Sequence, residues 1–248
     1  MQSELLTFSD VSLSYHTVEG ETNAIQNLNL TVNEGEFLAI VGPSGCGKTT
    51  VLSLIMGLLP PSEGTIRFQK PDLRLGYMLQ RDHLLDHRTV ERNVLLGLEV
   101  QRRLNEQSRA RALALLEKYG LWEFRAYKPA QLSGGMRQKV ALIRTLALEP
   151  DLLLLDEPFS ALDYQTRLNL SDEVYRIIRG EHKSAILVTH DISEAVSMAD
   201  RVAVFSARPA MLKEMIGIGF PAALSPLERR RQGDFHDYFD RIWEELQP

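Results

Sequence analysis

The chain has 248 residues, 44% hydrophobic and 25% charged, and its 33 acidic against 28 basic residues leave a net charge of −5. This is the composition of an ordinary globular protein, long enough for one large domain or two small ones. The acidic balance argues against non-specific nucleic-acid binding, no apolar run approaches the roughly 20 residues that cross a bilayer, and the single Cys46 excludes an internal disulfide or a cysteine metal cage. Residues 1–7 show neither the basic nor the apolar region of a signal peptide, so a soluble, cytoplasmic protein is expected.

Residues 4–41 alternate apolar and polar positions, with Val11, Leu13 and Tyr15 at period two and breaks at Glu19-Gly20 and Glu34-Gly35. The pattern predicts a small antiparallel β-layer. Tyr15 ends its first strand, where the ring can either stack on a base or pack on the core.

The apolar run Phe37-Leu38-Ala39-Ile40-Val41 leads into Gly42-Pro43-Ser44-Gly45-Cys46-Gly47-Lys48-Thr49-Thr50, followed by the helical Val51-Leu52-Ser53-Leu54-Ile55-Met56. Gly42, Gly47, Lys48 and Thr49 satisfy G-x-x-x-x-G-K-[ST], the phosphate-binding loop. Glycines let the backbone curl so that successive N–H groups face an anion, and the helix beginning near Lys48 adds its positive end. Lys48 is positioned for the β- and γ-phosphates, and the Thr49 hydroxyl for Mg²⁺. Cys46 occupies a position the pattern leaves free; a reactive thiol there is the minor alternative, since a helix N-terminus lowers thiol pKa.

Short strands are predicted at 65–68 and 75–79, the second ending at Gln80. An amide at such a strand end either ligates Mg²⁺ and orients a water or is simply a solvated loop residue. Residues 83–149 read as an all-helical insert, with helices over 89–98 and 102–119 and a stop at Gly120. Within it, Leu132-Ser133-Gly134-Gly135-Met136-Arg137-Gln138 places the N-cap Ser133 and two glycines before a helix over 136–148. This is a second anion-receptive helix start or an ordinary capped helix.

Leu152-Leu153-Leu154-Leu155-Asp156-Glu157 is a buried parallel strand ending in two carboxylates, where α/β sheets place ligands. Asp156 is expected to hold Mg²⁺ and Glu157 to act as general base on the attacking water. Ser160-Ala161-Leu162-Asp163 forms a turn before a helix over 165–179, and a buried strand over 185–189 ends at His190. His190 either contacts the γ-phosphate or holds a loop by hydrogen bonds. A helix over 191–199 and a core strand over 202–205 follow; residues 207–248 are less regular, with Arg229-Arg230-Arg231 a local basic run. Phe235, Tyr238, Phe239, Ile242, Trp243 and Leu246 give the tail helix an aromatic stripe that is expected to dock on the protein's own surface, with membrane association the minor alternative because Asp237, Asp240, Glu244 and Glu245 disfavour anionic lipid.

Together these pieces resemble the ATP-binding subunit of an ABC transporter over residues 4–206. The stretch 42–50 matches the Walker A loop, 132–138 the LSGGQ-type signature, and 152–157 the Walker B strand with its catalytic glutamate. Ser160 to Asp163 resembles the D-loop, Gln80 the Q-loop, His190 the switch histidine and Tyr15 the A-loop aromatic. Met136 stands where the commonest signature has Gln, which resembles importers of the nitrate/sulfonate/taurine class, as do Thr189-His190-Asp191-Ile192-Ser193-Glu194-Ala195 and the tail Ile242-Trp243-Glu244-Glu245-Leu246.

The resemblance implies an α/β P-loop NTPase fold with a parallel-sheet core, an N-terminal antiparallel layer and a helical insert. The domains would be 1–82 with 150–206 as ATP-binding core, 83–149 as helical subdomain, and 207–248 as C-terminal extension. It implies ATP and Mg²⁺, with Glu157, His190, Lys48 and Gln80 catalytic and Thr49, Gln80 and Asp156 around the metal. Tyr15, the loop residues 42–50 and Asp163 would line the nucleotide, and Ser133, Gly134 and Gly135 would bind the γ-phosphate in trans. The implied partners are a second copy or a related ATPase subunit sandwiching ATP, a membrane permease and an extracytoplasmic solute-binding protein, with the chain at the cytoplasmic face of the membrane. A soluble ABC ATPase of DNA repair or translation is the competing function, and a thiamine precursor or other small organic solute the competing cargo.

Overall fold

The computed structural model describes residues 3–17 and 20–247. In chain order the first elements are β1 (Glu4–Thr17), β2 (Gly20–Asn33), β3 (Phe37–Val41), α1 (Lys48–Ile55), β4 (Glu63–Phe68) and β5 (Leu75–Met78). Then come α2 (Val90–Val100), α3 (Glu106–Lys118), α4 (Gly134–Leu146), β6 (Leu152–Asp156) and α5 (Tyr164–Gly180). The chain closes with β7 (Ser184–Thr189), α6 (Ile192–Met198), β8 (Arg201–Phe205), β9 (Leu212–Gly217), α7 (Pro226–Arg229) and α8 (Phe235–Leu246). Contacts group these into two units, Met1–Leu73 with His182–Pro248, and Arg74–Glu181.

In the first unit, β2, β1 and β4 make an antiparallel sheet, registered Phe8↔Leu30 on one side of β1 and Phe8↔Ile66 on the other. Val11, Leu13, Leu28, Leu30 and Val32 are buried, as period-two alternation requires of a sheet with one wet face. A second sheet runs β7, β3, β8, all parallel, with β9 added antiparallel along β8. Every residue of β3 and β7 is buried, the signature of a strand covered on both faces. Register Val41↔Thr189 brings the ends of β3 and β7 to one edge, so the residues that follow them, Gly42 and His190, emerge side by side.

In the second unit, β5 and β6 pair in parallel, Leu75↔Leu152 to Met78↔Leu155. Helix α4 packs on α2, α3, α5 and β5. Gly76 permits the approach of α4 to β5: a Cβ there would stand 2.7 Å from the Thr145 methyl. Buried Asn93 staples the segment before α2, its amide accepting from Leu85 N and donating to the carbonyls of Leu85, Arg88 and Thr89.

Two local features depart from the sequence expectation. Helix α3 starts at Glu106 rather than 102, because Asn105 and Ser108 form a reciprocal capping box. The tail contributes a strand, β9, whose half-buried alternation is weak in the sequence. Within the basic run, whose role the sequence leaves open, Arg229 is buried and donates to the carbonyls of Ser197 and Ala199 at the end of α6. Helix α8 packs on α6, β8 and β9 as its stripe predicts, burying Phe235 and Ile242, while Trp243 stays 54% exposed.

Candidate functional site

The loop after β3 begins at buried Gly42, where a Cβ would meet the Cys46 sulfur at 3.0 Å and Phe205 Cβ at 3.1 Å. Gly47, at φ 129°, caps α1, and a Cβ there would stand 3.0 Å from the Ala24 carbonyl oxygen. With positive φ at Gly45 as well, the loop takes turns that L side chains resist. The Lys48 side chain folds back into it: the residue is only 5% exposed, and its ammonium donates to Gly42 O at 2.7 Å and Pro43 O at 3.0 Å. Two neutral carbonyls thus orient the charge without neutralising it. No carboxylate occupies the first turn of α1, so none of its own side chains offsets the positive helix end.

Pro43, Ser44, Gly45 and Thr49 are exposed along the loop, whereas Cys46 is 1% exposed. Burial pushes its thiol pKa up, against the lowering charges of Lys48 and Arg208. Cys46 packs inside the loop, and its burial speaks against the reactive-thiol alternative. Tyr15, 38% exposed, sets its hydroxyl 3.3 Å from Thr50 Oγ1, which places the ring beside the loop rather than in the core. His190 is exposed at the end of β7. The turn holding it is fixed by Asp191 N donating to Thr189 Oγ1, which in turn donates to Glu194, while Asp191 caps α6.

Sequence reasoning missed Arg208. Its guanidinium donates to the Gly45 carbonyl at 2.8 Å, so the connection between β8 and β9 grips the outside of the phosphate loop.

In the second unit, Asp156 ends β6 at 6% exposure and accepts from the Tyr77 hydroxyl at 3.1 Å. Burial and the Asp156 charge push the Tyr77 phenol far up, so it is a proton donor at every physiological pH. Glu157 has φ 44°, a left-handed backbone rare outside glycine and concentrated at functional positions. Ser160 supports that turn through its N–H and hydroxyl, both donating to Glu157 O. The Gln80 amide donates to Glu157 at 3.4 Å and to Ser160 Oγ at 3.2 Å. Gln80, Asp156 and Glu157 are thus brought to one strand-end cluster.

The Ser133 hydroxyl accepts from Met136 N and caps α4, which begins at Gly134 rather than Met136. Ser133 is exposed, and Gly134 and Gly135 are partly so. Ser133, Met136 and Lys139 of α4 face Thr166 and Glu173 of α5 across a cavity of about 210 Å³. Asp163 caps α5, and the Thr166 hydrogen bonds hold its carboxyl below the usual carboxylate range. Three α4 side chains grip residues 80–83: Gln138 donates to Gln80 O, Arg137 pairs with Asp82, and Arg144 donates to the carbonyls of Asp82 and His83.

Residues 25–160 match the ABC transporter family model. Over 95% of this chain and 93% of the relative, the sequence is 44% identical to an uncharacterized ABC transporter ATP-binding protein, YtlC, of Bacillus subtilis. It is 41% identical to the taurine import ATP-binding protein TauB of Yersinia pestis, over 79% of each chain. The chain belongs to the ABC transporter ATP-binding family. The fold agrees with the dimeric post-hydrolysis structure of the ATP-binding cassette MJ0796 bound to ADP and phosphate, at TM-score 0.72 and 30% identity over 87% of this chain and all of the other. This ABC cassette therefore binds and hydrolyses ATP. Its loop fits that ligand: Gly45 and Gly47 take the positive-φ turns that curl the backbone, and Lys48 supplies a buried cation within it. Asp156, at the end of β6, carries oxygen donors of the kind Mg²⁺ prefers. Among the described residues no helix is long and apolar enough to cross a membrane.

Proposed function

We propose that this cassette energises uptake of a small solute of the nitrate, sulfonate or taurine class through a separate permease, working as a head-to-tail pair at the cytoplasmic face of the membrane. The observation that carries the reading is the Gln80–Glu157 contact at a left-handed Glu157, which aims a general base from the end of β6. Lys48 and the amides of residues 42–50 bind the β- and γ-phosphates, and Tyr15 stacks on the base. Thr49, Asp156 and Gln80 would hold Mg²⁺, which would supply charge neutralisation on the phosphate oxygens. Glu157 takes the proton of the attacking water, and His190 steadies the γ-phosphate. Ser133, Gly134 and Gly135 of a second copy close the site, so nucleotide biases the pair between closed and open states. Asp163 lies on that same dimer face.

The helical subdomain 83–149 carries the change to the permease, and an extracytoplasmic binding protein delivers the solute. The 41% identity to a taurine import subunit and Met136 in the signature support the solute class. ATP-dependent dimerisation followed by light scattering tests the assembly. With Glu157→Gln slowing turnover, ATP is expected to yield dimers, and Ser133→Arg added to it is expected to abolish them while each monomer still binds ATP. Undiminished dimers in the Ser133→Arg form would refute the head-to-tail arrangement.

A further inference from the structure

We propose that Tyr77 is a positioning residue for the metal: its hydroxyl fixes the Asp156 carboxylate in the rotation that receives the hydrated cation. The proposal rests on the reading of Asp156 as the Mg²⁺ carboxylate.

Tyr77 belongs to β5, whose register with β6 sets it opposite Leu154, two residues before Asp156. Neighbouring Gly76 and Met78 are buried, so the strand cannot shift to release the ring. From that fixed base the phenol donates to one Asp156 oxygen at 3.1 Å. A carboxylate rotates broadly about its terminal torsion, so a hydrogen bond to one oxygen selects the plane and commits the other oxygen elsewhere. Asp156 is 6% exposed, where bulk water supplies little such orientation. Mg²⁺ accepts little departure from octahedral geometry and keeps several of its waters, so the carboxylate's aim matters more than its charge alone. The chain runs on two residues beyond Met78 to Gln80, so β5 and the loop that follows it deliver two polar groups to the cluster: an amide toward Glu157 and a phenol toward Asp156.

Tyr77→Phe keeps the ring and its packing and removes only the donor. Loss of an orienting partner outside the ligand shell typically costs 10–100-fold in metal affinity. Mn²⁺ is titrated into the ADP-bound full chain, with free Mn²⁺ read by electron paramagnetic resonance. Tyr77→Phe is expected to bind Mn²⁺ about 10-fold more weakly than the parent, with ADP affinity in EDTA and thermal melting unchanged. ATPase of the variant should recover as Mg²⁺ is raised. Mn²⁺ affinity equal to the parent's overturns the proposal. Asp156→Asn serves as the separate control: if it binds Mn²⁺ as tightly as the parent, the metal-ligand reading of Asp156 fails and the Tyr77 role falls with it. Weak binding in Asp156→Asn with parental binding in Tyr77→Phe overturns the Tyr77 role alone.

Discussion

The Gln138 side-chain amide, on the helix that Ser133 caps, donates to the backbone carbonyl of Gln80 at 3.3 Å. One end of α4 begins at Ser133, and its flank holds the loop that carries Gln80, so hydrogen bonds tie the two together. Gln138 Oε1 is buried without a hydrogen-bond partner among the described residues, an uncompensated cost that a purely structural residue need not carry.

Gln138→Leu removes both the bond to Gln80 and the orphaned oxygen. The two effects offset, each being about 1–2 kcal/mol, so stability in urea unfolding should stay within about 1 kcal/mol of the parent. ATPase turnover should fall several-fold, with KM for ATP little changed, because Gln80 loses its support while the phosphate loop is untouched. Steady-state kinetics beside the unfolding curve distinguish this from a folding defect; unchanged kcat would show that the contact does not position Gln80.

Glu157→Gln preserves the shape of the side chain and its contact with Gln80 but removes the base. Turnover should drop by about 10²–10⁴-fold while ATP binding persists. Phosphate release under saturating ATP measures the first and calorimetry the second. Turnover at the parental rate would remove Glu157 from the chemistry.

Lys48→Ala deletes a cation held by Gly42 O and Pro43 O at the base of the loop. A hydrogen bond to a charged group is worth about 1.5–3 kcal/mol, so ATP affinity should weaken at least about 10-fold. Calorimetric titration reads this directly, and affinity within twofold of the parent would contradict the cradle.

Glu36, 3% exposed, accepts from Arg201 at 3.0 Å and from Asn33 N and Nδ2. Burial raises its pKa above the ordinary carboxylate value in spite of the Asn33 bonds and the Arg201 charge. A raised folded pKa contributes stability that is present below the unfolded value and lost as pH rises through the folded one. Arg201→Ala raises it further by stranding the carboxylate. The variant should therefore be destabilised by about 3–5 kcal/mol at pH 7 and by progressively less toward pH 5. Urea unfolding at the two pH values checks the sign; an equal loss at both would mean that Glu36 charge is not the cause.

Within the chain, local chemistry was legible. The phosphate loop is written in glycine spacing because only those residues take the turns at Gly45 and Gly47 freely. Strands β3, β6 and β7 are written as unbroken apolar runs because both faces are covered, and Asp156 and Glu157 stand out as charges ending one of them. Ser133, Asp163 and Asp191 announce helix starts because a cap is satisfied within three residues. What the tertiary structure alone decided are pairings between distant segments: Tyr77 with Asp156, Arg208 with Gly45, Gln138 with Gln80, and buried Arg229 with the end of α6. Each joins a residue type common on any surface to a partner chosen by strand register and helix packing. Periodicity records which face of an element is buried; it holds no record of which distant atom that face meets.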